Sequence, residues 1–222
     1  MSKEATVSVG LDAATADLLG VLAYGELTAF ERLASDARLA PSVADKVALA
    51  TMAAAEFGHF LALRDYLAAA GIDPAAAMEP FVRPLDDFHD LTEPNDWLEG
   101  LLKAYVGDGL ATDFYREVAG SLQDPTTQAL VLEVLADTGQ AAFAVARVNE
   151  AIAREPALAG RLALWGRRLM GEALIQAQRV AVERDALTEL LVGEGDLAGI
   201  VRLLNRLTDN HTARMAAVGL AA

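Results

Sequence analysis

At 222 residues the chain suits one large domain or two small ones and can bury a sizeable core. It is rich in Ala and Leu and carries 18 Lys or Arg against 32 Asp or Glu, a formal charge of −14. Such a composition predicts an all-α chain and an acidic surface that repels phosphate backbones, and the absence of cysteine excludes disulfides, thiolate zinc sites and a cysteine nucleophile.

Turn and cap signals divide the sequence into long helical blocks. The N-terminal MSKEATVSVGLDAA lacks the charged-then-apolar pattern of a leader, so a cytoplasmic protein is expected. A first helix is predicted from about Asp12 to Ala37. A second opens at Pro41-Ser42 and ends at the Gly71-Ile72-Asp73-Pro74 break. Glu26, Glu56 and His59 interrupt the most apolar stretches of these two, so no membrane span is expected. The segment 72–94 contains Pro80, Pro84 and Pro94 and reads as a polar crossover with one helical turn at Ala75–Met78. A third helix runs from near Pro94-Asn95 to before Asp124-Pro125, and a fourth from Thr126 or Thr127 to about Arg154. A fifth follows Glu155-Pro156 and ends near Val192-Gly193; a sixth covers about Asp196 to Val218. No stretch has linker character, so residues 1–222 read as one domain, with a core bundle over about 12–154 and added helices over about 156–220.

Charge is spread unevenly along these blocks. Residues 1–150 hold 9 basic against 24 acidic residues, giving −15, whereas 151–222 hold 9 against 8, giving +1. Arginines 161, 167, 168, 179 and 184 form a local basic stripe that reads first as a solvated helix face.

The two predicted hairpins echo each other. AYGELTAFE on helix one places Glu26 after Gly25, and AYVGDGLATDF on helix three places Asp108 after Gly107. AEFGHF on helix two holds Glu56, Gly58 and His59, and ADTGQA on helix four holds Asp137, Gly139 and Gln140. Asp108 lies 82 positions after Glu26, and Asp137 lies 81 after Glu56. Residues three apart share a helix face, so Glu56 and His59 point at one spot. In a four-helix bundle, single carboxylates from two helices and acid-x-x-His pairs from the other two can hold two iron or manganese ions. Glu26, Glu56, Asp108 and Asp137 all lie among Ala, Leu, Val and Gly, where an uncompensated carboxylate is costly and a metal is one compensation. Asp113, in TDFYRE, is the competing acid on helix three. Tyr24 and Tyr105 precede the acids closely and read as core packing first, hydrogen-bond donors or radical carriers second. Glu172 with Gln176, and His211 with Arg214, read as surface or interface pairs.

With these motifs the chain resembles the ferritin-like superfamily, and within it bacterial relatives of the tRNA 2-methylthio-isopentenyladenosine hydroxylase. The likeness covers roughly residues 12 to 150. It implies an all-α, ferritin-like four-helix bundle with a crossover between helices two and three and two additional C-terminal helices. It also implies a ligand set of Glu26, Glu56, His59, Asp108, Asp137 and Gln140, with Gln140 standing where the family pattern has a second histidine and Asp108 and Asp137 standing where it has glutamates. The implied activity is that of an oxygen-dependent non-haem di-iron hydroxylase or oxidase acting on a small molecule or modified base, with iron, or alternatively manganese, as the metal. The alternative is a metal-depleted ferritin-like scaffold that works as a homodimeric interaction protein.

Overall fold

The computed structural model describes residues 11–136, 139–192 and 197–222. Among them the regular structure is entirely helical: α1 Ala13–Asp36, α2 Val43–Ala69, α3 Pro74–Leu91, α4 Trp97–Ala119, α5 Pro125–Val134, α6 Gln140–Arg154, α7 Leu158–Glu183, α8 Asp185–Val192 and α9 Leu197–Ala217. Five of the starts are set by local chemistry. Asp12, Ser42, Asp73, Asp96 and Asp124 sit in extended backbone, and each accepts a hydrogen bond from an N–H of the first helical turn. Ser42 also donates its hydroxyl to Asp45 at 2.6 Å, and Pro74 and Pro125 fall in first turns that need no N–H from them.

Three blocks differ from the sequence expectation. The crossover is a helix of 18 residues, α3, with Pro80 and Pro84 inside it. Each proline costs a helix bond, and packing outweighs that cost. Phe81 is completely buried, Tyr24 donates to Asp86 at 2.7 Å, and the Ala77 carbonyl lies so close to Gly20 that no β-carbon fits there. The expected fourth helix is two, α5 and α6, with Gly139 at φ 89° immediately before Gln140. Only glycine adopts that left-handed backbone readily. The expected fifth helix is also two, α7 and α8. They part at Arg184, which reaches back to bond Asp17 at 2.8 Å and lies over the Phe81 ring.

α1 and α2 form an antiparallel hairpin, α3 crosses α1, and α4 packs against α5, α6, α7 and α9. The buried apolar residues form two clusters. One joins Leu33, Leu49, Ala53, Leu102, Ala144, Leu169 and Met215; the other joins Leu22, Ala23, Leu63, Phe81, Val118 and Val131. Along α1 the seam between them falls between Ala23 and Leu33, and along α2 between Ala53 and Leu63. Glu26, Glu56 and His59 lie in that seam. Among the described helices, α2 has the length and apolar composition of a membrane-crossing segment, and it carries Glu56 and His59 at its middle. The charged groups at its middle face α1, which leaves Val43 80% and Val47 59% exposed on the outside.

Candidate metal centre

Glu56 and His59 are one turn apart on α2 and meet Glu26 of the antiparallel α1. One ligand atom from each lies within 4.8 Å of the other two. The His59 Nδ1 is 3.3 Å from Glu26 Oε2 and 3.6 Å from Glu56 Oε2. Side-chain exposure is 13% for Glu26, 8% for Glu56 and 22% for His59, so the group is largely enclosed and opens at the imidazole.

The electrostatics follow from crowding two acids into an apolar seam. Burial pushes Glu26 well above the usual carboxylate range, Glu56 pushes it further, and His59 opposes both. Burial also pushes Glu56 upward, but hydrogen bonds with His59 and Glu26 outweigh it and hold its carboxyl below the usual range. The same two acids raise His59 to about 10, against its own burial. The His59 imidazolium therefore stands as the cation beside the Glu56 carboxylate, and Glu26 holds its proton more tightly than an ordinary carboxyl. A hard divalent ion suits the same two oxygens and one nitrogen, and it would displace protons as it bound. The donor set thus fits one metal ion, with ligands from two helices.

The other residues named from sequence are placed differently. Asp108 is exposed on α4 and is not brought to the three. Asp137 lies outside the described residues. Gln140 opens α6, is 5% exposed, and has a buried Oε1 without a partner among the described residues. Two ties set its register. Tyr66 bonds Thr127 at 2.7 Å and Asp45 bonds Arg147 at 2.8 Å, 21 residues apart on α2 and 20 apart on the opposing strand of chain. The end of α5 and the start of α6 are therefore level with the middle of α2, where Glu56 lies. Asp113 is committed elsewhere, bonding Arg214 at 2.5 Å. Tyr105 donates to the Arg214 carbonyl at 3.2 Å. Gln176 is buried and accepts from Arg179, and His211 of α9 is buried with neither ring nitrogen partnered among the described residues. Gly58 and Gly107 admit no neighbouring helix, since nothing lies within 4 Å of a β-carbon at either.

Sequence reasoning passed over Tyr115. Its hydroxyl is 4.0 Å from where a Gly25 β-carbon would be, and burial together with the charge of Glu26 raises its pKa. The signal was the antiparallel run of α1 and α4. The Tyr115 hydroxyl beside Gly25 and the Asp36 carboxylate beside Gly100 show the two helices running antiparallel, and the first of these contacts brings the turn of Tyr115 to the turn of Glu26.

The basic stripe is consumed within the fold. Arg161 pairs with Asp96 and Glu99, Arg179 with Asp87, and Arg184 with Asp17, while Arg167 and Arg168 donate to carbonyls.

A family model for the ferritin-like domain of actinomycetes matches residues 10–194. The chain belongs to that family. No curated protein matches it. The matched region runs from just before α1 to just past α8, so the metal-ligand group lies inside the ferritin-like domain and α9 lies beyond the match.

Proposed function

We propose that this ferritin-like protein binds a redox-active metal, iron in the first instance, at Glu26, Glu56 and His59, and uses it in oxygen-dependent oxidation of a substrate. The observation that carries the reading is the convergence of two carboxylates and one imidazole within 4.8 Å inside an apolar seam. When bound, the metal would supply one-electron chemistry and open positions for oxygen. The chain's own part is to hold it, with two carboxylates to offset its charge and His59 to fix it at the exposed edge, in the seam between the two apolar clusters. Gln140, level with the middle of α2 and lacking a partner for Oε1 among the described residues, is suited to hold a water or a second, weaker ion beside the first. A hydroxylase acting on a modified base, as the resemblance implies, remains the finer form of this proposal. The arginines tied up in the fold weigh against wide contact with a nucleic acid backbone.

Elemental analysis after expression with added iron tests the core of the proposal. Glu56→Ala should cut bound iron at least tenfold, in line with the loss of one of three ligands. Unchanged stoichiometry would remove Glu56 from the centre. A second reading is favoured by one observation: His59 already hydrogen-bonds Glu26 at 3.3 Å and ion-pairs with Glu56 at 3.6 Å. On that reading the domain is a metal-free scaffold that self-associates, for example through the exposed face of α2. Wild-type protein that takes up no iron, manganese or zinc would select it.

A further inference from the structure

The three converging ligands all come from the α1–α2 hairpin, and α4 packs on the same apolar cluster from the other side. Level with Glu26, α4 offers Asp113, Phe114 and Tyr115. Asp113 is held by Arg214 of α9, and Phe114 has no polar group. Tyr115 is 8% exposed and belongs to the cluster that contains Leu22, Ala23 and Leu63. Its hydroxyl comes within 4.0 Å of the β-carbon position at Gly25, one residue before Glu26, and the charge of Glu26 acts on the phenol. The metal-free arrangement satisfies Glu26 through His59 at 3.3 Å, with no hydrogen bond to Tyr115. A cation at the centre changes that accounting. With an ion there the His59 nitrogen would serve as its ligand, and Glu26 would be a buried carboxylate with one oxygen no longer receiving a proton donor.

We propose that Tyr115 is a positioning residue of this centre, a neutral phenol whose O–H donates to the carboxylate of Glu26 when the ion is bound. The proposal rests on the metal-binding reading above. A donor on a carboxylate ligand weakens its push on the metal and so favours the lower oxidation state. The phenol would therefore raise the reduction potential of the centre and fix the orientation of Glu26.

The test compares wild-type and Tyr115→Phe protein loaded with ferrous iron, measuring iron content, the ferric/ferrous midpoint potential and the thermal midpoint of the metal-free form. Tyr115→Phe should keep the iron and the fold while its potential moves negative, a shift that lost packing alone does not produce. An unchanged potential with iron bound overturns the role of Tyr115 and leaves the metal centre standing. Wild-type protein that binds no iron overturns both. Should Tyr115→Phe fail to fold, cobalt(II)-loaded wild-type protein gives the second measurement. Two solvent-exchangeable, paramagnetically shifted protons are expected, one from the His59 ring and one from the phenol; a single one overturns the proposal.

Discussion

His59 holds a proton far more tightly in the folded chain than in the unfolded one, and that fixes the sign of its pH effect. Its folded value is about 10 against an ordinary 6.5. The stabilisation from the Glu26–His59–Glu56 contact is therefore complete below about 6.5 and is lost as pH rises toward 10. Between pH 6 and pH 8 wild-type protein should lose about 1 kcal/mol relative to His59→Gln, allowing for solvent screening at the exposed ring edge; taking the difference cancels the opposite slopes of His89 and His211, which burial holds below the usual histidine range. Urea denaturation of both metal-free proteins at the two pH values measures this. Lys103, held down to about 8 mainly by burial, slopes the other way at higher pH, which is why the window stops at 8. The i, i+3 spacing of Glu56 and His59 was readable in the sequence because one helix turn is a local property. Asp108 misled because each residue rotates a helix by about 100°, so a repeat that keeps sequence distance within one position need not keep the face. Tyr115 could be found only from the pairing of α1 with α4, which no local pattern encodes.

Caps made the helix starts legible. Asp12, Ser42 and the Asp-Pro pairs at 73–74 and 124–125 act within their own turn and need no tertiary partner. α3 was not legible, since Pro80 and Pro84 are locally unfavourable and the burial of Phe81 that offsets them comes from another element. The close approach of α3 to α1 predicts opposite outcomes for one kind of substitution. Gly20→Ala drives a β-carbon into the Ala77 carbonyl and should destabilise by about 1–3 kcal/mol. Gly58→Ala meets nothing within 4 Å in a helix interior and should stabilise by about 0.5–1 kcal/mol. Chemical denaturation of the two variants side by side checks both signs, and destabilisation of equal size would discredit the α1–α3 contact.

At the scale of the whole molecule the uneven charge has a structural use. The acidic N-terminal two-thirds supplies Asp17, Asp87, Asp96, Asp113 and Glu117, and the C-terminal helices supply Arg184, Arg179, Arg161, Arg214 and Arg206 to meet them. Most of these pairs are exposed and contribute little each. Arg214–Asp113 is the exception, with side-chain exposures of 13% and 15%. Asp113→Ala leaves that guanidinium enclosed beside the Gly109 carbonyl without its counter-charge and should cost about 3 kcal/mol. Glu117→Ala, which frees the exposed Arg206, should cost less than about 1 kcal/mol. Thermal or urea unfolding ranks the two, and equal costs would mean that Arg214 finds water where the fold encloses it.

The unequal exposure of the three converging side chains also bears on kinetics. The most accessible of them is the imidazole, and both acids stand behind it. An incoming ion meets a positively charged ring before it meets either acid, so capture should be limited by departure of the ring proton and not by separation of the helices. Uptake would then speed up with alkalinity while the backbone amides around Glu26 stayed as protected from deuterium as before.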